Sequence, residues 1–282
     1  MSPLRIHTYT AAESGILVNS HLLETDDGVL LVDANLLVSD ARALAARLAA
    51  LRKPLLAAFV THPHPDHFNG LPYVVDDDVP VYATAEVAET IAKLAVPKRE
   101  QWQPVYGEEW PDRYRVPDHL LADGEIVEVG GLRVRVHDLG AGESDADSYL
   151  LVESDERRLA FIGDLAFGDL HSYTADGHSG AWLRTLDRLT AELDGVPLYP
   201  GHGVPGDIGL LAEQRRYLLM YRETVRRLAA GAPSLTEEQK RHLSATMTRF
   251  SPGAPLAWLV ELGADAVAAE LAAELVAEPS VV

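Results

Sequence analysis

The segment Thr61-His62-Pro63-His64-Pro65-Asp66-His67-Phe68-Asn69-Gly70 sets three imidazoles and a carboxylate in the order His-x-His-x-Asp-His. Neutral imidazole is a ligand for zinc, iron or manganese, and a carboxylate adds the negative charge a dication needs. A lone histidine is ordinarily a surface residue or a satisfied core residue. Four ligand-type groups this close together, just after an apolar run, point instead to a divalent metal site. That run, Leu55-Leu56-Ala57-Ala58-Phe59-Val60, reads as a strand ending in a tight polar loop, with Gly70 soon after.

The elements that must position this loop alternate strand and helix. Residues 16–23 and 29–33 read as strands joined by a turn at Asp26-Asp27-Gly28. An Ala-rich helix over 40–52 follows, N-capped by Ser39 or Asp40, with Leu44, Leu48 and Leu51 on one stripe. After the strand 55–60 come a short strand at 81–83 and a helix at 86–95. The segment 97–119, with Trp102, Trp110 and four prolines, breaks the pattern and reads as an ordered lid over a site or a packed connector, with the two tryptophans favouring the lid. Order resumes in a hairpin, 125–129 and 132–137, turning at Gly130-Gly131. Strands at 148–153 and 158–162, a helix at 181–193 and a strand at 196–199 follow. The remainder is helical: 208–230, then 235–249 opened by a capping box at Ser234 and Glu237, then 255–276. Strands followed by helices, twice over, imply an α/β protein of two sheets between helical layers. The chain reads as one domain, with a core over about 1–206 and C-terminal helices over about 207–282.

Composition narrows the chemistry. The chain has 282 residues and no cysteine, so disulfides, thiolate zinc sites and cysteine nucleophiles are excluded, and any metal must be held by His, Asp and Glu. Lys and Arg number 24 against 43 Asp and Glu, a formal net charge of −19. Phosphate contacts dominate nucleic-acid binding, so this balance argues against a nucleic-acid partner and against anionic membranes. No apolar run approaches the roughly 20 residues of a membrane span, and residues 1–7 lack a signal-peptide core. The expectation is a soluble, cytoplasmic protein acting on a small molecule, with self-association into a homo-oligomer left open.

The order His62-x-His64-x-Asp66-His67, Gly163-Asp164 at a strand end, and Gly201-His202-Gly203 resembles the metallo-β-lactamase superfamily across about residues 15–205. The resemblance implies a four-layer αββα sandwich with one or two metals at the strand ends. It implies that His62 and His64 bind a first metal, that Asp66, His67 and His202 bind a second, and that Asp164 bridges them. It places Asp33 where the family often has a carboxylate supporting the ligands, although a turn cap accounts for that residue equally well.

One position departs from the family pattern. A third histidine is usual for the first metal, about 20 residues before the bridging aspartate. Here Glu143 stands 21 residues before Asp164, in Gly140-Ala141-Gly142-Glu143-Ser144. Glu143 either ligates the first metal, as a carboxylate does in the family's alkylsulfatase branch, or points away, or yields to His137 as a substitute ligand. As a ligand it makes the site about neutral: Asp66, Asp164, Glu143 and a bridging hydroxide cancel two divalent ions. Water at a less positive centre keeps a higher pKa, and added oxygen ligation draws harder Mn or Fe in competition with Zn.

Beyond Asp164 lies a second polar cluster containing His171, Tyr173 and His178. His171 and Tyr173 are candidate donors to a substrate oxyanion, and His178 is a weaker one. The leading expectation is a metal-dependent hydrolase in which a metal-bound hydroxide, oriented by Asp66, attacks an ester, lactone, thioester, amide or sulfate ester. The alternatives are a non-haem iron oxidoreductase, because His62, His64 and a carboxylate form a two-His-one-carboxylate set, and a metal-binding protein without turnover.

Overall fold

The computed structural model describes residues 4–277. Among them, β1 (Arg5–Thr10), β2 (Asn19–Glu24), β3 (Val29–Val32), β4 (Leu55–Phe59), β5 (Val81–Thr84) and β6 (His119–Leu121) form a six-stranded sheet in chain order. A five-stranded sheet contains β7 (Ile126–Val129), β8 (Leu132–Gly140), β9 (Asp147–Glu153), β10 (Arg158–Phe167) and β11 (Leu198–His202), also neighbouring in order. The helices are α1 (Val38–Ala50), α2 (Pro65–Phe68), α3 (Leu71–Val74), α4 (Ala85–Tyr106), α5 (Ser179–Glu192), α6 (Gly209–Ala229), α7 (Glu237–Phe250), α8 (Trp258–Leu262) and α9 (Ala264–Ala277).

The layering follows from strands that are apolar on both faces. Leu30 and Val32 of β3 and Ala57 and Phe59 of β4 face the second sheet, meeting Val134, Val136, Leu150 and Val152. Their alternates, Val29, Leu31, Ala58 and Val60, pack outward against Leu44 of α1 and Ile91 of α4. In β10, Leu159 and Phe161 face inward, while Ala160 and Ile162 pack on Trp182 and Leu186 of α5 and on α6. A period of two, buried on both sides, is the signature of a sheet covered by helices. The result is the expected four-layer αββα sandwich. The C-terminal helices carry a further core built on Tyr221, Val225, Leu243, Met247, Val260 and Val267.

Several boundaries differ from the sequence reading. The polar segment Arg5–Thr10 is an edge strand paired with β2, whereas no strand is expected there. The next strand begins at Asn19 rather than Ile16, because Ile16 and Leu17 take left-handed backbone angles (φ 53° and 58°). Helix α1 starts at Val38, with Leu37 in the cap position and no side-chain cap, so neither Ser39 nor Asp40 caps it. The helix read as ending at 95 continues to Tyr106 through Pro97 and Pro104. Each proline deprives a carbonyl four residues back of its partner. Lys93 and Glu100, which carry those carbonyls, are exposed, so water replaces the lost bonds. The capping box that opens α7 uses Thr236 and Gln239, not Ser234 and Glu237. The backbone amide of Leu235, just after Ser234, is held by the Asp265 carboxylate, so the helix starts beyond it.

Candidate metal centre

The site forms where β3, β4, β10 and β11 end, the usual place for ligands in α/β sheets. Asp33 follows β3, the 61–64 loop and α2 follow β4, Asp164 lies near the end of β10, and His202 ends β11. From β2, Asn19 Nδ2 donates to the carbonyls of Pro200 and Gly203 and so fixes the loop that carries His202.

Two groups of buried side chains converge here. In one, His202 Nε2 lies 3.1 Å from Asp66 Oδ2 and 3.2 Å from Asp164 Oδ2. His67 Nε2 is 3.3 Å from Asp66 Oδ2 and 3.4 Å from Asp164 Oδ1. In the other, Glu143 Oε2 lies 3.1 Å from His64 Nδ1 and 3.6 Å from His62 Nε2. Within each group the ligand-type atoms lie within 4.8 Å of one another. The groups adjoin, with the His62 and His67 rings 4.0 Å apart between centroids.

Hydrogen bonds fix which nitrogen of the His62, His64 and His67 rings faces the centre. Asp33 Oδ2 accepts from His67 Nδ1 at 2.8 Å and from Thr61 Oγ1 at 2.9 Å. Having spent its proton on Asp33, the Thr61 hydroxyl accepts from His62 Nδ1 at 3.0 Å. Asp176 Oδ2 accepts from His64 Nε2 at 2.9 Å. The atoms left free, Nε2 of His62 and His67 and Nδ1 of His64, present lone pairs to the carboxylates. Lone pairs aimed at carboxylate oxygens repel unless a cation sits between them.

His62 Nε2, His67 Nε2, both Glu143 oxygens and Asp164 Oδ1 are buried without hydrogen-bond partners. Buried polar atoms are nearly always satisfied, so this concentration of exceptions calls for a ligand. Gly201 leaves room for one: a Cβ there would lie 2.1 Å from Asp164 Oδ1 and 2.7 Å from His67 Cε1. The residues present fit a pair of divalent metals.

Protonation of the metal-free chain follows from the same charges. Burial pushes Glu143 up to about 8. Burial works to lower His202, but Asp164 and Asp66 outweigh it and hold the imidazole at about 9. His64 and His67 are likewise raised against burial, by Glu143 and Asp176 in one case and by Asp66, Asp164 and Asp33 in the other. Asp66 and Asp164 are held low, against burial, by the His67 and His202 rings. A group whose pKa is raised on folding stabilises fully below its ordinary value and loses that contribution as pH climbs through the folded value. The chelated chain is therefore expected to lose thermal stability between about pH 6 and pH 9, and the metal-loaded chain is not. Thermal melts across that range check it; a chelated chain that gains stability over the window contradicts the assignment.

The structure brings His62, His64, Asp66, His67, Glu143, Asp164 and His202 together, and Tyr173 beside them. The Tyr173 ring packs on His64 at 4.9 Å, and its hydroxyl donates to Asp176 Oδ1 at 2.9 Å. His171 is not brought to the centre. It is fully buried, its Nδ1 lies 3.0 Å from the Tyr217 hydroxyl, and it does not line the cleft above the centre. His178 pairs with Asp145 at 2.8 Å, and His137 stacks on Tyr149, away from both groups. Asp176 and Asp147 escaped the sequence reading. Asp147 gathers the amides of Glu143 and Ser144 and the Ser144 hydroxyl, and thereby shapes the turn presenting Glu143. Its signal is the Ser144-x-x-Asp147 spacing, a local turn pattern.

The cleft over the centre measures about 320 Å3. His64, Asp66, Asp164 and His202 form its floor, and Lys98, Trp102, Tyr106 and Trp110 one wall. The first part of the segment expected to be a lid, residues 97–106, is the second half of α4, and with Trp110 beyond it forms that wall.

Fold and site together define an αββα protein with two adjoining sets of metal-ligand side chains. Residues 15–202 match the metallo-beta-lactamase superfamily, and the chain belongs to it. A metallo-beta-lactamase from Pontibacter korlensis has a similar structure, with TM-score 0.60 and 23% identity over 78% of this chain and 96% of that one. A beta-lactamase domain protein from Burkholderia ambifaria covers 98% of this chain and 88% of its own, with TM-score 0.69 and 19% identity. TTHA1623 in a di-iron-bound form matches 75% of this chain and 99% of its own, with TM-score 0.58 and 25% identity. A search of curated proteins returned no match. No helix among the described residues is long and apolar enough to cross a membrane.

Proposed function

We propose that this chain is a metal-dependent hydrolase of a small-molecule ester, lactone, thioester, amide or sulfate ester. The observation that carries this reading is the pair of adjoining ligand groups opening through His64, Asp66, Asp164 and His202 onto a cleft. His62, His64 and Glu143 would hold one ion, Asp66, His67 and His202 the other, with Asp164 shared between them. Divalent ions there supply Lewis acidity toward the electrophilic oxygen and lower the pKa of water. Zinc is the proposed metal, with Mn or Fe in competition because three of the seven ligands are carboxylates.

Asp66, which faces the cleft, orients the attacking water, whose proton passes to the leaving alcohol, thiol or amine. The hydroxyl of that water joins the acyl carbon or sulfur as the bond to the leaving group breaks. Asp176 positions His64, and Tyr173 positions Asp176. A panel of activated esters, lactones, thioesters and sulfate esters, assayed with metal-loaded and chelated protein, tests the proposal. Metal-dependent turnover is expected, and a fully loaded chain that cleaves no member of the panel contradicts it.

Glu143→His tests the unusual ligand separately. Removing one negative charge from the centre is expected to raise zinc occupancy relative to manganese and to move the low-pH limb of activity down by about one pH unit. Metal competition and pH–rate profiles read both, and no change in either contradicts ligation by Glu143.

A further inference from the structure

Three of the four tryptophans, Trp102, Trp110 and Trp258, line the cleft above the metal centre. Two come from the α4 wall and the turn beyond it. Trp258 comes from α8, so the C-terminal helices also contribute to the lining. The cleft does not end at the mouth of the centre. It continues into an outer groove of about 700 Å3 that shares Ile16, Trp102, Tyr106, Trp258 and Leu262 with it. Along this path Val105 is 67% exposed, Trp258 46% and Leu262 39%. Scattered apolar side chains on a surface need no explanation, but a contiguous strip leading from a reactive centre marks a binding surface.

The charge around the strip is one-sided. Glu13, Glu237 and Glu261 line the outer groove. Lys240, the cation there, is engaged by Asp265 at 2.8 Å and Glu237 at 3.5 Å. In the inner cleft Lys98 faces the Tyr173 ring at 6.0 Å and acts on the charge of Asp176. The path therefore offers apolar area and a negative rim.

We propose that the substrate places its hydrolysable head at the metal centre and an extended, uncharged alkyl or aryl tail along Trp102 and Trp258. The acidic rim disfavours tails bearing phosphate or carboxylate, which sets coenzyme-linked thioesters aside as substrates. The identity of the head rests on the hydrolase reading; the tail rests on the groove.

The test uses the full metal-loaded chain and two matched series. Alkyl hydroxamates from aceto- to octano-, and an octanohydroxamate ending in a carboxylate, report binding through quenching of tryptophan fluorescence. Nitrophenyl esters of the same chain lengths report turnover. Affinity is expected to rise about twofold to fourfold per buried methylene and to fall when the tail ends in a carboxylate. Trp258→Ala and Trp102→Ala, read by inhibition of nitrophenyl acetate turnover, are expected to weaken octanohydroxamate at least about tenfold more than acetohydroxamate. Equal affinities across the wild-type series, or tighter binding of the carboxylate-ended tail, overturn the proposal without need of the variants. Length-dependent binding with no turnover of the esters or of any member of the wider panel would uphold the tail site and sink the hydrolase reading; turnover indifferent to length would do the reverse.

Discussion

Asp164→Ala is expected to lower kcat/KM by about a thousandfold or more, roughly 4 kcal/mol of barrier, and to cost the protein about one bound ion. The size follows from position. His67 and His202 both face Asp164, at 3.4 and 3.2 Å, as they also face Asp66. The Asp164 charge also reaches the other group, adding to the burial that raises Glu143 and opposing the burial that lowers His62. Asp66 and His67 act on His62 as well, but of their group Asp164 is the one that also acts on Glu143. Because Asp164 pairs with His67 and His202 in the metal-free chain, the chelated variant is expected to melt below the chelated parent at neutral pH, so loss of the ion is read from metal analysis and not from the melt. Metal analysis alongside steady-state kinetics separates the two readouts. Activity within tenfold of the parent, with full metal content, contradicts a shared role for Asp164.

Asp33→Asn is expected to weaken metal binding by about ten- to a hundredfold at both ions. Asp33 sits at φ 59°, a backbone region that asparagine tolerates and alanine does not, so the amide is the cleaner substitution. The amide oxygen can still accept from the Thr61 backbone, as Oδ1 does at 2.9 Å. The amide nitrogen, however, would replace Oδ2, which accepts from both Thr61 Oγ1 and His67 Nδ1. A donor would then confront two donors. His67 loses the bond that turns its Nε2 lone pair toward the centre, and Thr61 no longer fixes His62. Calorimetric titration with zinc checks the effect. Weakening at one ion alone would show that Thr61 does not carry the influence of Asp33 to His62.

The ligand cluster was legible in the sequence because its chemistry is local: His62 to His67 occupy one short segment, and Gly163-Asp164 and Gly201-His202 each sit at the end of an apolar strand. The sandwich was legible for the same reason, since strands buried on both faces announce their covering helices. Supporting residues were harder. Asp176 lies 112 positions from the His64 it orients, and nothing in its neighbourhood marks that contact. His171 looked like a substrate donor by proximity to Asp164, yet its loop turns inward, where Tyr217 of α6 takes it up. Helix α4 was cut short because proline is a helix breaker in general, whereas here both prolines lie on the solvent side. The cleft lining supplied by α8 was not legible at all. It depends on Gly263, where a Cβ would come 1.9 Å from Thr174 Oγ1, letting the C-terminal helices close against the loop that holds Tyr173.

The claim on which the account turns is that Glu143 completes a two-metal centre. Elemental analysis combined with anomalous diffraction from the metal-loaded protein tests it most directly. The account predicts two peaks per chain, the first bonded to His62 Nε2, His64 Nδ1 and a Glu143 oxygen, the second to Asp66, His67 and His202, with Asp164 between them. A single peak at the second position, with the Glu143 carboxyl turned away and protonated, would contradict it.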